Sequence, residues 1–322
     1  MGLGEFCQDR KLVGIRDVYA ETLIELARDH EDIVVLDADL SSSTRTGKFG
    51  KEYRDRFFNM GISEQDMIGT AAGLALVGKI PFASTFAIFE AGRAWEQIRL
   101  SLCLNRLPVK LVASHGGLTV GEDGPTHHCT EDIALMRVLP NMTVVLPMDA
   151  NEMRAVIRKS LLLDGPLYIR GSRENFPLVN PPDVEFEFGK GTALMQGNDI
   201  TIIACGLMVD FSLQAARALK ADGVGARVIN MSTIKPLDKE IVTCAARETG
   251  LIMTVEEHSI VGGLGSAVCE TLCESSPVPV KRMGTMDQFA VSGCPCRLLD
   301  MYGLTPKAIA ENARALYRDH KG

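Results

Sequence analysis

The feature that most constrains this chain is an alternation. Short apolar, β-branched runs are separated by longer segments of helical period. Residues 33–36, 109–113, 142–146 and 167–169 have the character of strands buried on both faces. Between them, 16–28 brings Val18, Leu23 and Leu26 roughly to one helical face, and 64–77 does the same for Met67, Ile68, Ala71, Ala72 and Leu74. Strands covered on both sides and joined by helices belong in parallel α/β sheets. Residues 176–190 hold three prolines and no helical period, which predicts a linker. Beyond it the alternation restarts, with strands expected at 200–205, 226–231, 251–255 and 278–283. Helices are expected there at 207–221, 237–249, 264–274 and 305–318. The predicted fold class is α/β, with two parallel-sheet domains over residues 1–180 and 190–322.

Charge and composition narrow the function. The 34 basic and 41 acidic residues leave a net charge of -7, and the Lys and Arg are scattered. A nucleic-acid partner would favour a clustered basic face, so none is expected. The apolar runs, such as 200–209, fall short of the ~20 residues of a membrane helix, so no membrane partner is expected either. The first residues show no apolar signal region, and Phe6 stands where a myristoylation signal needs Ser or Thr. Nine scattered cysteines fit reduced thiols and a cytoplasmic location.

In open parallel sheets, ligands bind beyond the carboxyl ends of the strands. Four polar segments occupy such places. Residues 59–65 carry Glu64, at the start of an otherwise apolar helix. Taken alone, this is also an ordinary first-turn acid. Residues 84–89 carry Phe86 and Phe89, which could equally be core. Residues 115–128 hold His115, His127 and His128 with four glycines and a proline, a loop rich in binding chemistry. Adjacent histidines without a matching Cys or acid do not form a zinc spacing, and no metal ligands are assigned to this chain. Residues 170–175 offer Arg170 and Arg173, a pair able to grip phosphate or simply be solvated. In the second half, Gly262, Gly263 and Gly265 lack the third glycine of a dinucleotide fingerprint and suit a tight strand-to-helix turn. Cys294 and Cys296, with Cys269 and Cys273 upstream, match no standard metal spacing.

Taken together, these segments resemble the transketolase family of thiamine-diphosphate enzymes. Asn59–Gln65 is similar to the family's activating-glutamate segment, and Gly121–His127 to a signature of its transketolase branch. Arg173–Pro177 resembles the Arg-Gln-Asn-Leu-Pro segment, and Asp37–Leu40 with Ser41–Ser43 the Ala-Asp-Leu-Thr-x-Ser segment. Residues 256–258 and 262–265 resemble the carboxy-terminal domain. The resemblance spans two of the family's three domains. The Gly-Asp-Gly and following Asn of the first domain, which hold magnesium and the diphosphate, have no counterpart here.

The resemblance implies the carboxy-terminal subunit of a split transketolase. Its cofactors would be thiamine diphosphate and Mg2+, with the metal's ligands on an amino-terminal partner subunit. A heterotetramer with two copies of this chain is expected. Glu64 is implied to hydrogen-bond the aminopyrimidine N1′ and share its proton, and Phe86 and Phe89 to pack on the ring. Asp123 is implied to touch a substrate hydroxyl, His115 and His127 to hydrogen-bond or shuttle protons, and Arg16, Ser43 and Arg173 to hold a sugar phosphate. This chain departs from the family at Gly92, where a third aromatic is common, at Gly116 and Gly117, and at His128. Three other readings share parts of this pattern. They are the beta subunit of a 2-oxoacid dehydrogenase, a 1-deoxyxylulose-5-phosphate synthase-like enzyme (suggested by residues 93–97), and a non-catalytic scaffold.

Overall fold

The computed structural model describes Leu3, Phe6 and residues 10–321. Its strands in the first half are β1 (Leu12–Gly14), β2 (Ile33–Asp37), β3 (Phe57–Asn59), β4 (Ile80–Ser84), β5 (Lys110–Ala113), β6 (Thr143–Val145), β7 (Leu167–Arg170) and β8 (Asn175–Pro177). In the second half they are β9 (Thr192–Met195), β10 (Ile200–Ala204), β11 (Ala226–Asn230), β12 (Thr233–Lys235), β13 (Ile252–Ser259) and β14 (Val280–Thr285). Seven form one sheet in the order β12-β6-β7-β5-β4-β2-β3, and five form another, β14-β13-β10-β11-β9. Pairing is parallel except at one edge of each sheet, where β12 opposes β6 and β9 opposes β11. The chain is thus α/β with two parallel sheets, as its alternation predicts.

The helices follow from the same periodicity. Glu64–Leu76 buries Glu64, Met67, Ile68, Ala71 and Ala72, a stripe at helical spacing. Leu264–Ser275 opens on the Glu256 carboxylate, which accepts the N–H groups of Leu264 and Gly265, each at 2.7 Å. Those donors have no intrahelical partner, so the buried acid satisfies them. A Cβ on Gly263 would sit 2.0 Å from Glu256 Oε2. The glycine segment therefore exists for close packing around a cap.

The structure differs from expectation in three places. Phe176 and Pro177 belong to β8, which pairs antiparallel with β1 (Leu12 opposite Pro177), so the first part of the expected linker is strand. The residues that follow are tethered as well. Asp149 Oδ2 accepts from the Val179 and Asn180 amides at 2.8 and 2.7 Å. Second, β12 comes from beyond the linker yet completes the edge of the first sheet. Three residues are too few to show a pattern. Third, the sequence pattern marks neither β1, β3 and β9 nor several helices, among them Asp132–Arg137, Ala150–Ser160 and Pro295–Met301. β4 is legible only at its end, because Pro81 near its start weakens a strand pattern.

The two sheets are joined through buried polar groups. Arg170, at the end of β7, donates Nη2 to the carbonyls of Cys129 (3.1 Å) and Glu257 (2.8 Å). Its Nε lies 3.3 Å from Asp132 Oδ2, and both side chains are almost fully buried. Glu152 Oε1 accepts from Asn230 and Ser232 at 2.9 and 2.6 Å, a second link between the halves. Removing one partner of a buried ion pair strands the other charge without solvent. Arg170→Met is expected to cost about 3–5 kcal/mol, read from urea unfolding of the purified chain. A loss below about 1 kcal/mol would show that the network contributes little.

Candidate active site

The loops after β2, β4, β5 and β7 meet at one end of the first sheet. Asp37, the last residue of β2, is fully buried and accepts from the Leu40 amide (2.6 Å), Thr44 Oγ1 (2.6 Å) and Thr46 Oγ1 (2.8 Å). Burial raises its carboxyl above the ordinary range, and those hydrogen bonds oppose the rise. The bonds curl residues 38–46 so that the Ser43 carbonyl faces Arg16. Arg16 Nη1 donates to Ser43 O and Nη2 to Arg173 O, both at 2.6 Å. Arg173 in turn donates to Val120 O and lies 3.4 Å from Glu122 and 3.6 Å from Asp123. Arg16, Ser43, Arg173 and Asp123 are thus one connected group. Ser43 joins it through its backbone carbonyl.

Glu64 stands at the first turn of its helix with 4% of its surface exposed. It lines an open cleft of about 460 Å³ with Ile62, Ser63, Gln65, Asp66 and Arg93. Its Oε1 accepts from Arg93 Nη1 at 2.8 Å, and that arginine's side chain is 50% exposed. The same guanidinium lies 4.1 Å from the Phe89 ring centroid. Phe89 is near-parallel to Phe86 at 5.8 Å, and Phe86 stacks on His115 at 3.7 Å. His127 meets Phe89 edge-on at 5.4 Å and accepts from or donates to Thr126 Oγ1 at 2.9 Å. A continuous band therefore runs from the carboxylate through two phenylalanines to two histidines.

His115 follows β5 with φ of 58°, a left-handed conformation that costs a non-glycine residue energy and clusters at functional sites. Burial, reinforced by Arg16, Arg173 and His127, pulls its imidazole down to about 3. His115 is therefore a neutral ring that offers one hydrogen-bond donor and one acceptor. Next to it, a Cβ on Gly116 would lie 2.0 Å from Arg170 Nε and one on Gly117 2.4 Å from Glu257 Oε1. The buried ion network leaves no room for a side chain at either position. His128 turns away from the cleft and its Nε2 meets Gly121 O at 3.0 Å, closing the loop on itself.

Arg170 is corrected by the structure. It is buried in the ion network and does not line the Glu64 cleft, so Arg173 alone of that pair joins the group around Asp123. Two residues were missed. Arg93 holds Glu64 and covers Phe89, and only its proximity to the Phe pair hinted at this. Glu90 is fully buried, and among the described residues neither of its carboxyl oxygens has a hydrogen-bond partner. Burial, then the neighbouring Asp37 and Glu64, raises it well above the carboxylate range. Among the described residues, no three His, Cys, Asp or Glu side chains are grouped to hold a metal ion, and no helix is long and apolar enough to cross a membrane.

Comparison with known proteins places this geometry. The transketolase pyrimidine-binding domain family matches residues 11–179, and the transketolase C-terminal domain family matches residues 189–309. A putative transketolase C-terminal section from Methanocaldococcus jannaschii is 48% identical over 92% of this chain and 94% of its own length. A 6-deoxy-6-sulfo-D-fructose transketolase subunit from Clostridium sp. is 42% identical over 93% of each chain. A split-gene transketolase, solved as an inactive beta4 tetramer, superposes with a TM-score of 0.88 at 49% identity, covering 95% of this chain and 99% of that one. This chain belongs to the transketolase family, as a subunit made of that family's pyrimidine-binding and carboxy-terminal domains.

Proposed function

We propose that this chain is the catalytic carboxy-terminal half of a two-subunit transketolase. It moves a two-carbon ketol unit from a ketose phosphate to an aldose phosphate. An amino-terminal partner supplies the Mg2+ ligands and the diphosphate anchor, and two copies of each subunit assemble. The observation that carries this reading is the band linking buried Glu64 to Phe89, Phe86 and the two histidines. A buried carboxylate beside flat aromatic faces suits a protonatable aminopyrimidine, so the donor set fits thiamine diphosphate.

Thiamine diphosphate supplies the electron sink that lets a ketose break its C2–C3 bond. Glu64 would hold the proton shared with the pyrimidine of bound thiamine diphosphate, at the oxygen to which half-exposed Arg93 donates here. Phe86 and Phe89 exclude water from the ring's face. His115, being neutral, orients substrate hydroxyls by hydrogen bonds. His127, bordering the same aromatic faces, exchanges protons with the substrate oxygens. Asp123, exposed at the rim, accepts from a sugar hydroxyl. Arg173, with Arg16 fixed behind it by the carbonyls of Ser43 and Arg173, binds the anionic group.

Mixed with an amino-terminal subunit carrying a Gly-Asp-Gly motif, the chain is expected to convert xylulose-5-phosphate plus ribose-5-phosphate, and to be inactive alone. Turnover by the chain alone, or activity only with a 2-oxoacid, would refute this. Glu64→Gln is expected to lower turnover by about 10²–10⁴-fold without loss of subunit assembly. A variant within about twofold of wild type removes Glu64 from the chemistry. Arg173→Met is expected to raise KM for phosphorylated substrates by about 10–100-fold, and to alter unphosphorylated ones far less. An equal effect on both would show that Arg173 only shapes the loop.

A further inference from the structure

Cys294 and Cys296 flank Pro295 at the start of the Pro295–Met301 helix, and their Sγ atoms lie 3.1 Å apart. The proposed transfer reaction uses neither. Cys294 is half-buried and Cys296 is buried. The other perturbed cysteines among the described residues are moved toward inertness. Burial pushes Cys103 up to about 11 and raises Cys129, Cys205 and Cys269. Cys294 goes the other way. The Cys296 thiol, joined by the N–H groups of Cys296 and Arg297, holds it below its ordinary range.

The residues beside the pair lie against the loop that carries Asp123 and His127. A Cβ on Gly121 would lie 3.0 Å from Pro295 Cγ and 3.4 Å from the Gly293 carbonyl. One on Gly124 would lie 2.1 Å from Ser292 Oγ. The residues on both sides of Cys294 are therefore pressed against the two glycines whose φ values of 80° and 76° shape that loop.

We propose that Cys294 and Cys296 form a thiol–disulfide site, oxidised by low-molecular-weight disulfides, whose state is transmitted to the 118–127 loop. The Cys294 thiolate attacks one sulfur of a small disulfide RSSR, forming a mixed disulfide and releasing RS⁻. The Cys296 thiolate then attacks Cys294 Sγ, forms the intramolecular bond and expels the second RS⁻. The two released thiolates take up the two protons that the cysteines gave to solvent. The chain loses two electrons and the small disulfide gains them. A disulfide requires the sulfurs to close from 3.1 Å. That closure displaces Gly293 or Pro295, and with them the support of Gly121.

The test uses the full reduced chain with oxidised glutathione as the probe, followed by alkylation and peptide mass analysis. The expected product is two hydrogens lighter, with Cys294 and Cys296 both protected, formed about tenfold faster than any adduct on exposed Cys273, and reversed by a dithiol. Cys296→Ser is expected to trap glutathione on Cys294, and Cys294→Ser to take up none at Cys296. Amide exchange across 118–127 is expected to differ between the reduced and oxidised forms. A lasting glutathione adduct on wild-type Cys294, or oxidation no faster than at Cys273, overturns the site. Oxidation with the 118–127 amides unmoved overturns its transmission to the loop. Neither result bears on the transfer reaction, which is assayed separately.

Discussion

The buried guanidinium of Arg170 organises this molecule. Burial works against its charge, but Asp132 and Glu257 outweigh that cost and hold it cationic. One side chain thereby ties together three things that must be in register. These are the end of β7, the 129–132 turn that leads into the Asp132–Arg137 helix, and β13 of the second sheet. Tyr168, one strand step away on β7, donates to Asp132 Oδ2 at 2.7 Å, and Glu257 Oε1 accepts the Thr119 amide at 2.5 Å. A paired interior charge is weak evidence of stability but strong evidence of a fixed arrangement. Here it fixes the start of the histidine-bearing loop, because Gly116 and Gly117 lie flat against the pair.

From that anchor the loop's geometry follows. Its Gly121 and Gly124 take positive φ, and His128 ties back to Gly121. His127 is left beside Phe89, with Asp123 at the rim near Arg173. On the far side of the aromatic pair three acids cluster, Asp37, Glu64 and Glu90. Like charges in a dry space cannot all ionise cheaply. Burial, then Asp37 and Glu64, raises the Glu90 carboxyl well above the ordinary range. Glu64 lies between this buried acid and the Arg93 guanidinium, which donates to its Oε1 at 2.8 Å.

The alternation of β-branched runs and helical periods made both sheets legible, because a strand buried on two faces is a mostly apolar run even where a residue such as Lys110 or Thr254 interrupts it. Elements of three residues, such as β3 and β12, carry too little pattern, and β12 also crosses from one half to the other. Motifs singled out residues that the fold brings near one another, whereas periodicity did not single out the walls around them. Glu64, Phe86, Phe89, His115, His127, Arg16, Ser43, Asp123 and Arg173 are brought together at one sheet end. Arg170 was misplaced because a strand-end arginine looks the same in sequence whether it meets solvent or a buried acid such as Asp132, distant in the chain. Glu90 and Arg93 were missed for a related reason. Their environment is made by chain folding around Phe86–Arg93, not by neighbours in the sequence.

The form of the Glu64 cleft is the physical ground for a partner in the proposed reaction. Proton sharing between a carboxylate and a bound ring gains strength when water is excluded. On one side this chain provides that exclusion, through Phe86 and the core of the Glu64–Leu76 helix. On the other side the cleft is open. Ile62, on its lip, is 75% exposed, and Arg93 turns half its surface to solvent. A monomer gains nothing from leaving an isoleucine in water beside a buried acid, whereas a covering surface would bury it and favour burial of the cofactor ring at the same time. In the proposed reaction the acid, the aromatic shelf and Arg16 with Arg173 would form one wall of a chamber, and a partner would contribute the opposite wall and the ligands for the diphosphate.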